Sequence, residues 1–166
     1  MERRARRPPK PPASPPDVRA LLQRVSRASV KVGEETIASI GPGLLILVGV
    51  GHDDDEAVAL ALARRVTELR IFADGEGLTN RSILDVAGSA LVVSQFTLYA
   101  DTLRGRRPGF TDAASPDVAE RLYLRFADGL RENGIADVQT GTFGAEMAVE
   151  LVNVGPFTIW LDTADR

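Results

Sequence analysis

A short polar stretch, Ser94-Gln95-Phe96-Thr97, directly follows the apolar, β-branched run Leu91-Val92-Val93. Such a run is typical of a buried strand, which we expect to continue to Leu98 and to surface at its far end. Side chains alternate along a strand, so the amide of Gln95 and the hydroxyl of Thr97 would share one face. A rigid element holds polar groups accurately, which favours a binding or catalytic site. The alternative is that both residues merely cap a strand end.

The chain offers few groups for conventional nucleophilic or acid–base catalysis. It has no cysteine, which excludes disulfides, thiolate catalysis and cysteine metal sites. A Ser-His-Asp arrangement would need His52, the only histidine, and a hydroxyl–lysine pair would need Lys31. Folding could bring either group to Ser94 or Thr97. No Gly-x-Ser-x-Gly elbow supports such an arrangement.

The run His52-Asp53-Asp54-Asp55-Glu56 contains residue types that bind metals. Acidic residues also cap helices and stabilise their N-termini. An apolar stripe at helical spacing follows at once, made of Val58, Leu62, Val66 and Leu69. We therefore expect a capped helix here and no metal site.

The other elements are short strands and a second helix. Strands are expected within 19–32, 36–40, 44–50, 70–72, 91–98, 147–152 and 157–161. Ser115-Pro116 begins the second helix and Gly134 ends it. Two helices among many strands predict an α+β domain in which sheet packs on sheet and both helices cover one outer face.

A long polar loop is expected at 99–112, after the central strand. It carries three arginines, Arg104, Arg106 and Arg107. Loops of this length in compact domains are usually functional or mobile. These arginines could contact phosphate or could simply be solvated.

Composition and charge divide the chain in two. Residues 1–17 hold six prolines and a basic cluster with almost no apolar side chain, which predicts a disordered extension before a single domain at 18–166. The extension has five basic against two acidic residues, and the remainder has fifteen against twenty-one. A body with this acidic balance does not bind nucleic acid through a general phosphate field. No apolar run approaches the roughly 18 residues that a membrane span needs.

Several segments in one order resemble the D-aminoacyl-tRNA deacylases. Ser94 to Leu98 is similar to their SQFTL signature, and Asn153-Val154-Gly155-Pro156-Phe157-Thr158 is similar to their NxGPxT signature. Gln23-Arg24-Val25 matches a third element. Further similar segments lie between them at 43–45, 70–72, 107–108 and 143–147. The resemblance covers about residues 19 to 163, nearly the whole expected domain.

The resemblance implies a three-layer β/β/α domain whose two packed, mainly antiparallel sheets form a barrel-like core. It also implies a homodimer in which a Gly-cis-Pro unit from one subunit enters the pocket of the other, and Gly155-Pro156 matches that unit. Gln95, Phe96 and Thr97 would be catalytic, with the backbone N–H groups of Phe96 and Thr97 stabilising developing negative charge.

The substrate-binding residues follow from the same comparison. They would be Ser94, Arg24, Met147, Asn153, Gly155, Pro156 and Thr158. Arg24 would fix the orientation of the Gly-Pro unit by hydrogen bonding, and Met147 would form part of the pocket wall. The family's valine after the proline is Phe157 here, so the lining beside the unit departs from the family pattern.

The resemblance implies hydrolysis of D-aminoacyl-tRNA to the free amino acid and tRNA, with no metal or organic cofactor. Glycine lacks the side chain that such a pocket would exclude, so glycyl-tRNA would be cleaved as well. The ribose hydroxyl next to the ester would assist the reaction; a Thr97 nucleophile is the second mechanism. L-substrates would be rejected by exclusion. The partners would be the 3′ end of aminoacyl-tRNA and a second subunit, in the cytoplasm and without a membrane. The alternative function is a non-catalytic dimeric module that binds an RNA end or a protein.

Overall fold

The computed structural model describes residues 16–165, which form one six-stranded sheet, a two-stranded sheet and two helices. The strands are β1 (Arg19–Val32), β2 (Glu35–Ile40), β3 (Gly43–Gly49), β4 (Phe72–Ala73), β5 (Thr79–Arg81), β6 (Ser89–Ser94), β7 (Val138–Thr140) and β8 (Ala148–Asp162). The helices are α1 (Glu56–Glu68) and α2 (Pro116–Glu132), and a short 3₁₀ helix spans Phe96–Tyr99. Residues 1–15 of the expected extension lie outside the described residues.

Strand β1 organises the large sheet. One of its edges pairs with β8 from Arg19 to Lys31, and the other pairs first with β3 and then with β2, all antiparallel. One strand therefore serves two neighbours in turn, which curls the sheet. Strands β3, β6 and β7 continue it in parallel.

The curl brings the sheet's two ends together. The side-chain amide of Gln139 on β7 accepts a hydrogen bond from the backbone N–H of Ser39 on β2 and donates one to the carbonyl of Ser39, at 2.9 and 2.8 Å. The result is a nearly closed, barrel-like sheet with two helices outside it. The predicted α+β class with a barrel-like core is confirmed.

Alternation along the strands produces two apolar cores. Leu44 and Ile46 of β3 point to the helices, while Leu45 between them points into the curled sheet. The helix-side core is the larger and includes Leu62 of α1 and Phe126 of α2. The sheet is therefore buried on both faces at its centre, which explains the continuous apolar run in β3.

Both helices follow the sequence pattern. The side chain of Asp55 caps α1 by accepting from the N–H of Val58 at 2.9 Å. Gly129 lets α1 and α2 approach closely, because a Cβ there would lie 2.9 Å from that of Ala63. The second helix ends at Glu132, and Gly134 follows with φ +109°. Within residues 16–165, no helix has the length and apolar content that crossing a membrane requires.

Two expected boundaries were wrong. The central strand ends at Ser94, three residues after Leu91, and the chain turns into the 3₁₀ helix instead of continuing to Leu98. The expected break between 147–152 and 157–161 is absent, because β8 runs on as one strand. Its register against β1 shifts instead: Gln23 pairs with Thr158, but Val25 pairs with Asn153. The Gly155-Pro156 turn bulges out between these two pairs.

Candidate active site

The polar turn at the end of β6 is held by backbone contacts. The N–H of Gln95 donates to the carbonyl of Val48 on β3 at 2.8 Å, the last hydrogen bond before the chain leaves the sheet. The carbonyl of Gln95 then accepts from the N–H of Leu98 at 3.2 Å, which starts the 3₁₀ helix. Gly49 allows this turn to sit directly on β3, since a Cβ there would lie 3.2 Å from the Gln95 carbonyl and 2.9 Å from the Tyr99 ring.

Gln95 and Thr97 do lie together, although strand alternation is not the reason. The side-chain N–H of Gln95 donates a hydrogen bond to the hydroxyl oxygen of Thr97 across the start of the 3₁₀ helix. The N–H groups of Phe96 and Thr97 open this helix, and groups at that position have no acceptor within it. No acceptor for either N–H lies among residues 16–165. Two adjacent donors are thus available at this turn.

A polar cluster behind the turn fixes its far end. The hydroxyl of Tyr99 donates to the backbone carbonyl of Asp17. The guanidinium of Arg19 donates to the carbonyl of Leu98 at 3.0 Å and lies 4.3 Å from the centre of the Tyr99 ring. The same guanidinium pairs with the carboxylates of Asp17 and Asp162, each at 3.2 Å.

Burial shifts the pKa values of this cluster and of Asp54, whose carboxylate accepts from the backbone N–H of Asp17. Burial raises the pKa of the Asp54 carboxyl, against the opposing effect of the N–H groups of Gly51 and Asp17, which donate to it at 2.5 and 2.7 Å. Burial also raises the pKa of Asp17, which the nearby Arg19 lowers in part. The pKa of the Tyr99 hydroxyl is likewise raised, mainly by burial, so Tyr99 stays protonated and acts as a donor.

A pocket of about 600 Å³ opens beside the turn. Its walls come from the end of β6, the chain before α2, the start of α2 and the segment before β8. They are Val93, Ser94, Gln95, Phe96, Phe110, Ala113, Ala114, Pro116, Ala119, Phe143, Gly144, Ala145, Met147 and Val149. None of these side chains is an acid or a base.

Aromatic residues shape the pocket. The Phe96 ring, on a residue that is 55% exposed, packs edge-on against Phe110 with centres 5.0 Å apart. Phe143 stacks on Tyr123 of α2 at 5.7 Å. Gly141 leaves room for the sulfur of Met147, which a Cβ would approach to 2.7 Å. Four of the predicted site residues therefore line this pocket, namely Ser94, Gln95, Phe96 and Met147.

The Gly155-Pro156 turn forms a second group, away from this pocket's lining. Its peptide bond is cis, as expected, and both residues are exposed. Asn153 spans the turn: its side-chain oxygen accepts from the N–H of Phe157 at 2.9 Å, and its amide donates to the hydroxyl of Thr158 at 3.0 Å. The Asn and Thr positions of the motif thus close the base of the turn.

Arg24 holds the same turn from β1. Its guanidinium donates to the carbonyl of Val154 at 3.2 Å and to that of Ile71 at 2.7 Å. It also lies 4.6 Å from the centre of the Phe157 ring. The larger residue that departs from the family pattern therefore packs against the arginine, where a cation–π contact stabilises both.

Within the single chain the structure separates the ten predicted residues into two groups. Ser94, Gln95, Phe96 and Met147 line the pocket, with Thr97 beside Gln95; Arg24, Asn153, Gly155, Pro156 and Thr158 form the Gly-Pro turn and line no part of it. Sequence reasoning missed Phe110 and Tyr99. No spacing rule links either residue to Gln95. An aromatic residue in the long polar loop, Phe110, was a weak indication of a site there.

The other sequence candidates have structural roles or lie apart. A ring nitrogen of His52 contacts the backbone carbonyl of Thr111, and Asp55 caps α1. Among residues 16–165, no three His, Cys, Asp or Glu side chains converge in a way that could hold a metal ion.

Known proteins resemble this chain over most of its length. A family model described as D-Tyr-tRNA(Tyr) deacylase matches residues 21–162. A D-aminoacyl-tRNA deacylase of Roseiflexus sp. (strain RS-1) is 61% identical over 147 residues, 89% of this chain and 94% of that protein.

Two solved structures are similar. One, described as a c-Myc DNA Unwinding Element Binding Protein, is 39% identical with a TM-score of 0.81, covering 86% of this chain and 97% of its own. The other comes from a structural analysis of a probable eukaryotic D-amino acid tRNA deacylase. It shares the fold at 20% identity and a TM-score of 0.75, over 88% of this chain and 99% of its own. On the family model and the Roseiflexus relative, this chain belongs to the D-aminoacyl-tRNA deacylase family.

Proposed function

We propose that the pocket beside the Ser94–Thr97 turn binds the aminoacylated 3′ end of tRNA. Family membership makes the chain an ester hydrolase acting on D-aminoacyl-tRNA, so one site must hold the ester. The observation that supports this pocket is the pair of unengaged N–H groups at Phe96 and Thr97 beside it. Backbone donors aimed at a developing oxyanion are typically worth about 10²–10³ in kcat each.

The chemistry is assisted by the RNA. The pocket lining has no acid or base, and the His52 ring is engaged by a backbone carbonyl. The ribose hydroxyl next to the ester therefore helps to activate a water molecule, whose oxygen attacks the carbonyl carbon. The carbonyl oxygen takes up negative charge beside the Phe96 and Thr97 N–H groups. The ester C–O bond then breaks, the ribose oxygen takes a proton, and the D-amino acid and tRNA separate.

Chirality is set by exclusion at the Gly155-Pro156 turn of a second subunit. The turn is exposed and lines nothing in its own pocket, so an inserted partner turn could complete that pocket. Among the strands of residues 16–165, β8 pairs with β1 alone, which leaves its other edge unpaired there. The large apolar residues Val152, Val154 and Trp160 are exposed along this strand. A long, exposed, apolar edge strand is a natural surface for association with a second copy. Glycine lacks the side chain that is excluded, so glycyl-tRNA is also a substrate.

Two experiments test this function. Purified protein should deacylate D-tyrosyl-tRNA and leave L-tyrosyl-tRNA intact, and a substrate ending in 2′-deoxyadenosine should react about 100-fold more slowly. Equal cleavage of both enantiomers would refute exclusion at the pocket. Undiminished cleavage of the deoxy substrate would refute assistance by the RNA.

Mixed dimers test the shared site. Gln95→Ala and Gly155→Ala subunits should each be inactive alone. A statistical mixture should recover about a quarter of wild-type activity, because one of the two sites in each heterodimer combines the intact halves. No recovery would place both residues in a site within one subunit.

A non-catalytic nucleic-acid-binding role is the alternative. The solved relative described as a DNA unwinding element binding protein favours it, at 39% identity. Binding of a DNA duplex without any deacylation would support that role. The protein is proposed to act in the cytoplasm, where aminoacyl-tRNA is used.

A further inference from the structure

The loop of residues 101–109, which we call the arginine loop, stands at the rim of the pocket. Its base is closed by two backbone hydrogen bonds between Asp101 and Gly109, at 2.8 and 2.9 Å. The next residue, Phe110, lines the pocket and packs against Phe96. The loop is thus a defined projection anchored beside the turn that carries the free N–H groups.

Its three arginines are unpaired. Arg104, Arg106 and Arg107 are exposed and form no ion pair or hydrogen bond with residues 16–165. Elsewhere most arginines are engaged: Arg19, Arg27, Arg64, Arg121, Arg125 and Arg131 each form an ion pair. The loop therefore keeps three cations within four residues, although carboxylates are in excess over the rest of the domain.

The three positive charges of the loop are notable because they stand at the pocket rim of an otherwise acidic domain. Residues 18–166 carry twenty-one acidic against fifteen basic side chains, so the body as a whole repels a polyanion. Three neighbouring cations also repel one another, and no carboxylate among residues 16–165 forms an ion pair with any of them. An anionic partner at the pocket rim would offset it, and a phosphate accepts the planar arginine fork in two hydrogen bonds.

We propose that the arginine loop binds backbone phosphates of the tRNA acceptor end whose ester occupies the pocket. This inference rests on the proposed function, because it takes the pocket as the place of the terminal nucleotide. Four residues of extended chain between the Asp101–Gly109 base and the tip span at most about 13 Å. That reach suits the first phosphates that precede the terminal nucleotide.

The decisive variant replaces Arg104, Arg106 and Arg107 by glutamine. It should raise the KM for D-tyrosyl-tRNA at least tenfold and leave kcat within about twofold. The log–log slope of binding against salt concentration should become shallower by about one for each phosphate that the loop no longer neutralises. Cleavage of 3′-O-(D-tyrosyl)adenosine, which has no phosphate, should be unchanged.

The matched control replaces three exposed arginines of the two helices by glutamine, which removes the same total charge. They are Arg64, Arg65 and Arg121. It should leave the KM for D-tyrosyl-tRNA near the wild-type value. The inference is overturned if both triple variants raise that KM equally, since general charge would then explain the effect. It is also overturned if the loop variant leaves the KM unchanged or slows the adenosine ester as much as the tRNA. Failure of wild-type protein to cleave either substrate would instead refute the proposed function.

Discussion

The Ser94–Thr97 turn and the Gly155-Pro156 turn are positioned by different means. The first lies at the end of a buried strand, with a backbone bond to Val48 on one side and the buried Tyr99 on the other. The second bulges from an edge strand and is fixed by polar side chains, chiefly Arg24 and Asn153. The position of the first turn therefore depends on the stability of the core. The position of the second depends on a few side-chain hydrogen bonds.

This difference suits the two separate tasks that we propose for these turns. Charge stabilisation needs donors that do not move during the reaction, and a core-anchored backbone provides them. Rejection of the wrong enantiomer would need a rigid group that blocks part of the pocket of a second subunit. Such a group must project from the surface of its own subunit. Variants of the two turns should consequently fail in different ways.

The largest effect is expected for Gly155→Ala. Gly155 has φ +122°, which disfavours alanine, and the added Cβ would lie 2.7 Å from a terminal nitrogen of Arg24. Misplacing the turn by about 1 Å should reduce D-aminoacyl cleavage about 100-fold, with a thermal midpoint close to that of the wild type. Gly77→Ala is the matched control, because Gly77 has φ +79° and open space around its Cβ. If the control were equally inactive, backbone strain anywhere in the fold would be the cause.

Arg24→Lys should have the next largest effect. Lysine keeps the charge but cannot reach the Val154 and Ile71 carbonyls with one planar fork or stack as well on Phe157. We expect the ratio of D- to L-tyrosyl-tRNA cleavage to fall about tenfold, which corresponds to about 1.4 kcal/mol of discrimination. Arg27→Gln, which removes only an exposed ion pair with Glu150, should leave the ratio unchanged. An unaltered ratio in Arg24→Lys would mean that the turn does not need this clamp.

Asp54→Asn tests the buried polar cluster behind the Ser94–Thr97 turn through the free energy of unfolding. The change replaces one of the two acceptor oxygens and should cost about 1–3 kcal/mol in unfolding free energy. Burial raises the folded pKa of Asp54, so its contribution to wild-type stability declines as pH rises from the unfolded value through the folded one.

The stability difference between wild type and Asp54→Asn should therefore be largest at acid pH and smaller at neutral pH. Urea titrations at several pH values measure it, with the exposed Asp53→Asn as control. A difference that grows with pH would contradict the raised pKa. The D-to-L cleavage ratio should stay constant, because Asp54 does not touch the Gly-Pro turn.

Thr97→Ala should have the smallest effect on rate, within about tenfold. The hydroxyl of Thr97 accepts a hydrogen bond from Gln95, and no base among the described residues is placed to remove its proton. Single-turnover deacylation of D-tyrosyl-tRNA measures the effect. A covalent acyl group on Thr97, detected by mass spectrometry, would show that the turn acts through its side chain.

The sequence by itself determined the elements whose signals are local. A continuous apolar run located β3, helical apolar spacing located α1 and α2, and Asp55 marked the start of α1. These patterns depend on neighbours within a few residues. The two signatures located all ten candidate residues except Arg24 and Met147, which two of the shorter similar segments supplied. The NxGPxT order even reflects contacts, since Asn153 and Thr158 close the turn that lies between them.

Only the tertiary structure decided how those residues are arranged. The strand pattern placed Gln95 and Thr97 on one face, but the chain leaves β6 at Ser94 because the Gln95 N–H bonds to Val48 and Gly49 makes room for the turn. The pairing of Gln23 with Thr158 and of Val25 with Asn153 ejects the Gly-Pro turn from an otherwise continuous strand. Such contacts join residues more than 40 positions apart, so patterns of local spacing in the sequence cannot predict them.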